Sequence, residues 1–179
     1  MAVETDIPLV DEILGESRAA IGAQYEAYRN HVYRMINFCF ALRGCSEDEK
    51  ERIVIAGCFH DIGIWTGPSY DYLPPSIAAA RAYLDKAGRV QWGDEIAAMI
   101  DEHHKLRRYA DDSYPLVEVF RRGDLVDFSL GLLKSGLPGG LVKDVKAAFR
   151  NAGFHQYIIS LQVGWLPRHP LRPIPILKW

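Results

Sequence analysis

The sequence predicts an all-α fold, a single-domain helical bundle. Apolar residues recur every three or four positions through most of the chain, glycines and prolines separate these stretches, and no segment alternates polar and apolar residues over the length of a strand. The 179 residues are enough to bury a core in one domain, and 49% hydrophobic with 25% charged residues is typical of globular proteins. We therefore expect one domain over residues 1–179, in which residues 167–179 form an extended proline-rich tail.

The first predicted helical stretch covers residues 8–42, where apolar residues recur at helical spacing. Gly15 and Gly22 are predicted weak points because glycine is unfavourable inside a helix. Gly44 is expected to end the stretch, since glycine adopts the backbone conformation that commonly follows a helix.

A capping box predicts where the next helix begins. The hydroxyl of Ser46 can accept a hydrogen bond from the amide of Glu49, and the Glu49 carboxylate can reach back to the Ser46 amide. The helix is expected to run to residue 62. Its strongly apolar part, residues 53–59, predicts that it is buried.

The rest of the chain predicts further helices separated by breakers. Residues 63–75 contain several glycines and prolines and are predicted to form a loop, after which Ser76 is expected to cap a helix. Pro115 is expected at the first position of another helix, where its missing amide hydrogen costs nothing. The predicted helices in this part cover residues 76–87, 94–105, 115–133, 141–152 and 154–165.

Composition narrows the classes of partner and compartment. The net charge of −2 does not indicate a broad basic surface for nucleic acid, and a local basic patch stays open. The three cysteines are odd in number and form no Cys-x-x-Cys pair, which favours a reducing, cytoplasmic protein over a disulfide framework. The N-terminal residues lack the pattern of a signal peptide, and no apolar run approaches the length of about 20 residues needed to span a membrane. We expect neither a membrane nor a nucleic-acid partner, while a homo-oligomer stays open.

The pair His60-Asp61 is the first candidate for chemistry, because it ends a strongly apolar helix. An ionised carboxylate in such a place costs several kcal/mol unless a positive charge compensates it. A divalent cation can do so, since it accepts both imidazole nitrogen and carboxylate oxygen as ligands. At a helix end, adjacent side chains can converge on one ion.

Asp124 and Asp127 are a second candidate, since they lie three residues apart and share one face of a predicted helix. One of them can bind a metal while the other orients a ligand. The alternative is a solvated acidic face that pairs with Arg121 and Arg122. His31, taken alone, fits a buried histidine of the core as well as a metal ligand.

Three motifs together resemble the HD-domain superfamily of metal-dependent phosphohydrolases. The resemblance spans about residues 28–130 and implies a helical bundle of the HD-domain type around one divalent metal ion: manganese, nickel, cobalt, zinc, magnesium or iron. The motifs are Asn30-His31-Val32, Phe59-His60-Asp61-Ile62-Gly63 and Gly123-Asp124-Leu125-Val126-Asp127. By position, the resemblance assigns the metal to His31, His60, Asp61 and Asp124.

The segment Asp101-Glu102-His103-His104 lies where family members with two metals carry further histidines. The resemblance therefore implies that His103 binds a second metal or the substrate, and that His104 could join it. One position departs from the nucleotidase branch of the family, in which a glutamate three residues after the Asp of the pair helps to activate water. Here that residue is Ile64, and Asp71 is a candidate substitute.

The resemblance implies an enzyme that hydrolyses a small phosphorylated substrate, nucleotide-like or similar, with metal-activated water. Asp61 and His104 are the candidate catalytic residues. Positive side chains near the motifs could neutralise the phosphate, although each could equally be a surface charge. These candidates are Lys105, Arg107, Arg121 and Arg34.

Three alternatives are left open. An HD-like protein with two irons would be an oxygenase, and one with zinc would hydrate a small molecule. A domain that uses its metal only for stability would be a non-catalytic binding module.

Overall fold

The computed structural model describes residues 2–67, 71–165 and 167. These residues are largely helical and contain no β-strand, which confirms the predicted all-α, single-domain bundle. Short 3₁₀ turns cover Gly22–Gln24 and Val90–Trp92. The α-helices are α1 (Pro8–Glu16), α2 (Arg18–Ile21), α3 (Tyr25–Leu42), α4 (Glu47–Phe59), α5 (Gly63–Thr66), α6 (Leu73–Lys86), α7 (Gly93–Glu102), α8 (Pro115–Phe128), α9 (Gly139–Ala148) and α10 (Phe154–Trp165).

The first predicted stretch, residues 8–42, is divided into α1, α2 and α3. Gly22 lies at the second break and has a φ of 61°, in the left-handed region that glycine adopts without steric cost. The predicted weak point at Gly22 is thus confirmed. Gly15 lies inside α1, and the first break comes at Ser17 instead.

The predicted capping box is present at the start of α4. The amide of Glu49 donates to the Ser46 hydroxyl at 3.3 Å, and the amide of Ser46 donates to the Glu49 carboxylate at 2.9 Å. Residues 53–59 are buried as predicted. The helix ends at Phe59, three residues before the predicted end, so the turn that follows begins at His60.

The region predicted as a loop, residues 63–75, contains α5 and the start of α6. Helix α6 begins at Leu73 because the two prolines that follow lie in its first turn, where no amide hydrogen is needed for helical bonding. Ser76 is therefore not the N-cap that the sequence predicted. Its hydroxyl accepts a hydrogen bond from the Gly63 amide at 2.9 Å and joins α5 to α6.

Several later boundaries also differ from the predictions. Helix α7 ends at Glu102, three residues before its predicted end. Helix α8 ends at Phe128, because the φ values of Leu130 and Gly131, 55° and 81°, cannot continue a helix. Helix α9 begins two residues before and ends four residues before its predicted bounds, whereas α10 matches residues 154–165. The predicted tail from residue 168 onward lies outside the described residues.

Helices α3, α4, α7 and α8 surround the main core, with α3 packed along α8 and α7 between α6 and α8. The contact between α3 and α8 is close because Gly123 has no side chain, and a Cβ there would clash with the Cys39 sulfur. Most of the buried titratable residues lie on or at the ends of these same four helices. None of the described helices has the length and apolar character needed to cross a membrane.

Candidate metal centre

The structure brings five of the predicted site residues together in the core. His31 lies on α3 and Asp124 on α8, while the pair His60-Asp61 follows α4 and His103 follows α7. Each of these residues is at most 5% exposed. Residues far apart in sequence thus meet where four helices converge.

The ligand-type atoms of these residues lie within a few ångströms of one another. Nε2 of His31 is 3.0 Å from Nε2 of His60, which in turn is 3.3 Å from Oδ2 of Asp61. Oδ1 of Asp124 lies 3.6 Å from Nε2 of His31 and 3.9 Å from Nε2 of His60. The other carboxylate oxygen of Asp61 is 3.5 Å from Nε2 of His103. Asp61 therefore lies between His60 and His103.

Two of the histidines are oriented by the helices that they terminate. Nδ1 of His60 lies 2.8 Å from the Gly57 carbonyl oxygen, and Nδ1 of His103 lies 2.7 Å from the Ile100 carbonyl oxygen. The last carbonyls of a helix have no partner within the helix, so a histidine that follows can satisfy one of them. Because a carbonyl only accepts, Nδ1 carries the proton in both rings. In its neutral form, each ring then presents the Nε2 lone pair to the centre.

His31 is oriented the same way by a carboxylate. Its Nδ1 lies 2.7 Å from Oδ2 of Asp127, which accepts the hydrogen bond and leaves a lone pair on Nε2. When both rings are neutral with the proton on Nδ1, His31 and His60 point the lone pairs of their Nε2 atoms at each other across 3.0 Å. Such an arrangement is repulsive unless a cation lies within reach of both nitrogens.

The donor set fits a divalent metal. Oδ1 of Asp61 and Nε2 of His103 have no hydrogen-bond partner among the described residues, although both atoms are buried. His31, His60 and Asp61 each offer one ligand atom within 4.8 Å of the others. Ligands bound to one metal at about 2.1 Å lie roughly 3.0–3.5 Å apart, close to the separations found here. The carbonyl ends of α4 and α7 also favour positive charge.

Burial sets the protonation states in the metal-free protein. It lowers the pKa of His31 to about 4 despite the hydrogen bond to Asp127, so the ring is neutral near pH 7 and able to bind metal. Burial, together with the negative charges of Asp61 and Asp127, raises the pKa of Asp124 to about 7. Burial also opposes ionisation of Asp61, but the positive charge of His60 and His103 in their protonated forms, and the hydrogen bonds that these rings then donate, hold its pKa well below its usual range.

A second group of potential ligands adjoins the first and consists of Asp61, His103 and His104. His104 is half-buried, and its ring centroid lies 3.8 Å from that of His103. Its Nε2 is 2.7 Å from the hydroxyl of Tyr72, a residue that the sequence did not suggest. Burial lowers the pKa of His104 well below its usual range, so the ring is neutral near pH 7.

The structure does not place Arg34 where a substrate could reach it, contrary to the sequence prediction. Arg34 is 2% exposed. Its guanidinium donates to both carboxylate oxygens of Asp127 and to the carbonyl oxygens of Phe149 and Arg150. All of its interactions are thus within the protein.

Arg121 is also directed into the protein, so its predicted substrate contact is corrected too. It is 7% exposed and donates to the Glu118 carboxylate and to the carbonyl oxygen of Lys105. The Lys105 ammonium pairs with Glu102 at 2.8 Å. Of the four predicted cations, Arg107 is the exposed one. Sequence position near the motifs therefore failed to distinguish internal from accessible cations.

Aromatic side chains surround the histidines. Phe154 stacks on the His31 ring at a centroid distance of 4.1 Å and an angle of 13°. The Tyr28 hydroxyl accepts a hydrogen bond from the Asp61 amide at 3.3 Å, and Trp65 packs on Tyr28 at 4.8 Å. These residues restrict how the ligand side chains can move.

No family model, curated protein or solved structure matches the chain. The resemblance to the HD-domain superfamily therefore stays a prediction from three short motifs. The buried cluster of His31, His60 and Asp61 could hold a metal ion by its geometry, independently of any family.

Proposed function

We propose that the protein is a metal-dependent hydrolase. In this proposal His31, His60, Asp61 and Asp124 hold one divalent ion. The observation that supports it is the convergence of buried ligand atoms, since the Nε2 atoms of three histidines lie close to the carboxylates of Asp61 and Asp124. When bound, the metal would lower the pKa of a water molecule and polarise an oxygen of the substrate.

The substrate class that we propose is a small phosphoester, on the basis of the resemblance to the HD-domain superfamily. Arg34 and Arg121 form hydrogen bonds inside the protein, so the charge of the phosphoryl group would be balanced mainly at the centre itself. Arg107 is the predicted cation that can still approach a substrate, because it is exposed. This arrangement suits a substrate of low charge.

The proposal assigns distinct tasks to the two candidate catalytic residues. Asp61 contributes oxygens both to the His31–His60 side and to His103, so it would hold the metal and orient what binds there. His104 is half-buried beside His103 and neutral, which allows it to accept a proton or a hydrogen bond from a bound substrate or water. Ile64 packs against Tyr72 and Leu73 and supplies no carboxylate.

The test is the metal content of the purified, tag-free protein beside Asp61→Ala, measured by elemental mass spectrometry. About one manganese, nickel, cobalt or zinc per chain, lost in the variant, together with turnover of a phosphoester panel that the variant lacks, would support the proposal. Asp85→Ala, an exposed carboxylate on α6, is the matched control and should retain metal and turnover. Absence of metal from the wild type, even after divalent ions are added, would contradict the proposal, and two irons would favour an oxygenase.

Metal-dependent hydration of a small uncharged molecule is a second candidate. The internal engagement of Arg34 and Arg121 and the aromatic neighbours of the centre favour it, because an uncharged substrate needs no array of cations. Zinc content with turnover of nitrile-like compounds, but not of phosphoesters, would select this candidate. Bound metal without turnover of any panel member would favour the non-catalytic binding module.

A further inference from the structure

Asp127 lies three residues after Asp124 on α8, yet its side chain has entirely different partners. It is 2% exposed. Oδ2 accepts from Nδ1 of His31 at 2.7 Å and from Nη2 of Arg34 at 2.8 Å, and Oδ1 accepts from Nε of Arg34. Both carboxylate oxygens are therefore satisfied, in contrast to the unmatched acceptors at the centre.

Arg34 prevents the Asp127 carboxylate from turning. Two of its nitrogens form a fork on the carboxylate, a geometry that fixes the planes of both groups. The third nitrogen, Nη1, donates to the carbonyl oxygens of Phe149 and Arg150 at 3.2 and 3.1 Å. Arg34 thereby connects α3 and α8 to the chain between α9 and α10.

The same connection brings α10 against the His31 ring. Phe154, the first residue of α10, stacks on that ring, and Nε2 of His155 lies 3.0 Å from the main-chain oxygen of Asp127. The imidazole is thus held at its edge by a carboxylate and on its face by an aromatic ring. Only one orientation of the ring satisfies both contacts, and in it Nε2 faces His60.

We propose that Asp127 is a positioning residue, which together with Arg34 keeps the proton of His31 on Nδ1 and aims the Nε2 lone pair at the metal. The inference rests on the proposed function, since it concerns the same metal centre. It gives the two carboxylates of α8 different tasks: Asp124 meets the centre directly, and Asp127 acts through His31. It also replaces the predicted substrate contact of Arg34 with a structural link to the centre.

The experiment compares Asp127→Asn with Glu95→Gln as a matched control. Glu95 is a buried carboxylate that accepts from Arg52 and from the Leu116 amide, and it does not contact the proposed ligands. In Asp127→Asn, the amide nitrogen must replace one oxygen. It then either faces Arg34 and breaks the fork, or faces His31 and requires the proton to move to Nε2, where it would block metal binding.

We expect Asp127→Asn to weaken zinc affinity, measured by competition with a chelator, by about 10–100-fold, the range found when residues that orient metal ligands are replaced. Glu95→Gln should leave zinc affinity unchanged, although we expect both variants to lower the melting temperature by similar amounts. Nitrogen-15 NMR of labelled histidines should show the proton of His31 on Nδ1 in the metal-free wild type, and a loss of this signature in Asp127→Asn.

Equal zinc affinity in wild type and Asp127→Asn would overturn the inference, as would an equal loss in Glu95→Gln. If the wild type binds neither zinc nor manganese, nickel or cobalt, the proposed function fails, and the NMR signature alone then decides whether Asp127 sets the tautomer. If Asp127→Asn does not fold, Arg34→Lys takes its place. Lysine keeps the charge but loses the fork and the carbonyl contacts, so a several-fold loss of affinity is expected, and an unchanged affinity would overturn the inference.

Discussion

The core contains two buried polar clusters that differ in how their acceptors are satisfied. In the first, Glu95 of α7 accepts from Arg52 of α4 and from the Leu116 amide of α8, so each carboxylate oxygen has a donor. In the second, the candidate metal centre, Nε2 of His31 lies 3.0 Å from Nε2 of His60, and buried atoms of Asp61 and His103 have no hydrogen-bond partner among the described residues. Both clusters join helices around the same core, but one of them is complete without a ligand.

This difference shows what distinguishes a structural cluster from a binding site. A buried acceptor that lacks a donor costs the free energy of its lost hydration, about 1–3 kcal/mol per group. A fold retains such a cost where a ligand removes it, and a cation removes it for several acceptors at once. Mutations in the Glu95 cluster, whose acceptors all have donors, should therefore change stability. Mutations in the candidate metal centre should mainly change ligand affinity.

A large effect of a single substitution on stability is expected for Arg52→Met, which removes the positive partner of Glu95. It leaves the Glu95 carboxylate buried without its positive partner, and we expect a loss of about 3 kcal/mol in the free energy of unfolding with little change in metal affinity. Urea denaturation measures the loss. The control is Arg81→Met, which removes an exposed pair with Asp94 and should cost less than about 1 kcal/mol. Equal losses in both variants would contradict the contrast.

Metal binding should stabilise the wild type by nearly as much. At a free zinc concentration one hundred times the dissociation constant, the free energy of unfolding is expected to rise by about 2.7 kcal/mol. Asp61→Asn should abolish the rise because it removes the carboxylate between His60 and His103. A zinc-dependent rise that persists in this variant would place the metal elsewhere.

The pH dependence of the metal-free protein provides a third test, on Asp124. Folding raises the pKa of this carboxyl from about 3.9 to about 7, because burial disfavours its ionised form. The folded state therefore holds a proton that the unfolded state has released. As the pH rises from about 4 to about 7, the free energy of unfolding of the wild type should fall relative to that of Asp124→Asn, by at most about 1.4 kcal/mol per pH unit. Above about pH 7, no further loss is expected.

Denaturation in the presence of a chelator, repeated across this range, measures the difference between the two proteins. The comparison with Asp124→Asn is needed because His31 also makes stability depend on pH. Burial lowers the pKa of His31 to about 4, so the folded protein loses stability as the pH falls below about 6.5. Both proteins share that contribution. A difference that stays constant with pH would contradict the burial of an ionisable Asp124.

The smallest effect is expected at the exposed Arg107. Arg107→Ala should change the free energy of unfolding by less than about 0.5 kcal/mol, as exposed substitutions usually do. If the substrate is a phosphoester, kcat/KM should fall several-fold, with the loss decreasing at high salt because exposed charges are screened. An unchanged kcat/KM for a phosphoester would remove Arg107 from the substrate contacts, and Arg108→Ala serves as the neighbouring control.

Local features of the sequence were sufficient for much of the fold and for part of the site. Three features that depend only on neighbouring residues were predicted from the sequence and are present in the structure. They are the capping box at Ser46 and Glu49, the position of α10, and the pair His60-Asp61 at the end of an apolar helix. The start of α6 was wrong because two prolines were interpreted as a loop, although a first helical turn accepts them. Where α8 ends depends on the left-handed turn at Leu130.

The sequence by itself determined the all-α fold and the residue types that meet in the core. Only the tertiary structure decided which cations are internal, and which residues contact Asp127. Those outcomes depend on contacts between residues about a hundred positions apart, such as Arg34 with Asp127. Because Asp124 and Asp127 share a helix face, helical spacing alone does not separate them. Gly123 allows α3 to approach α8 closely, and Arg34 of α3 then pairs with Asp127.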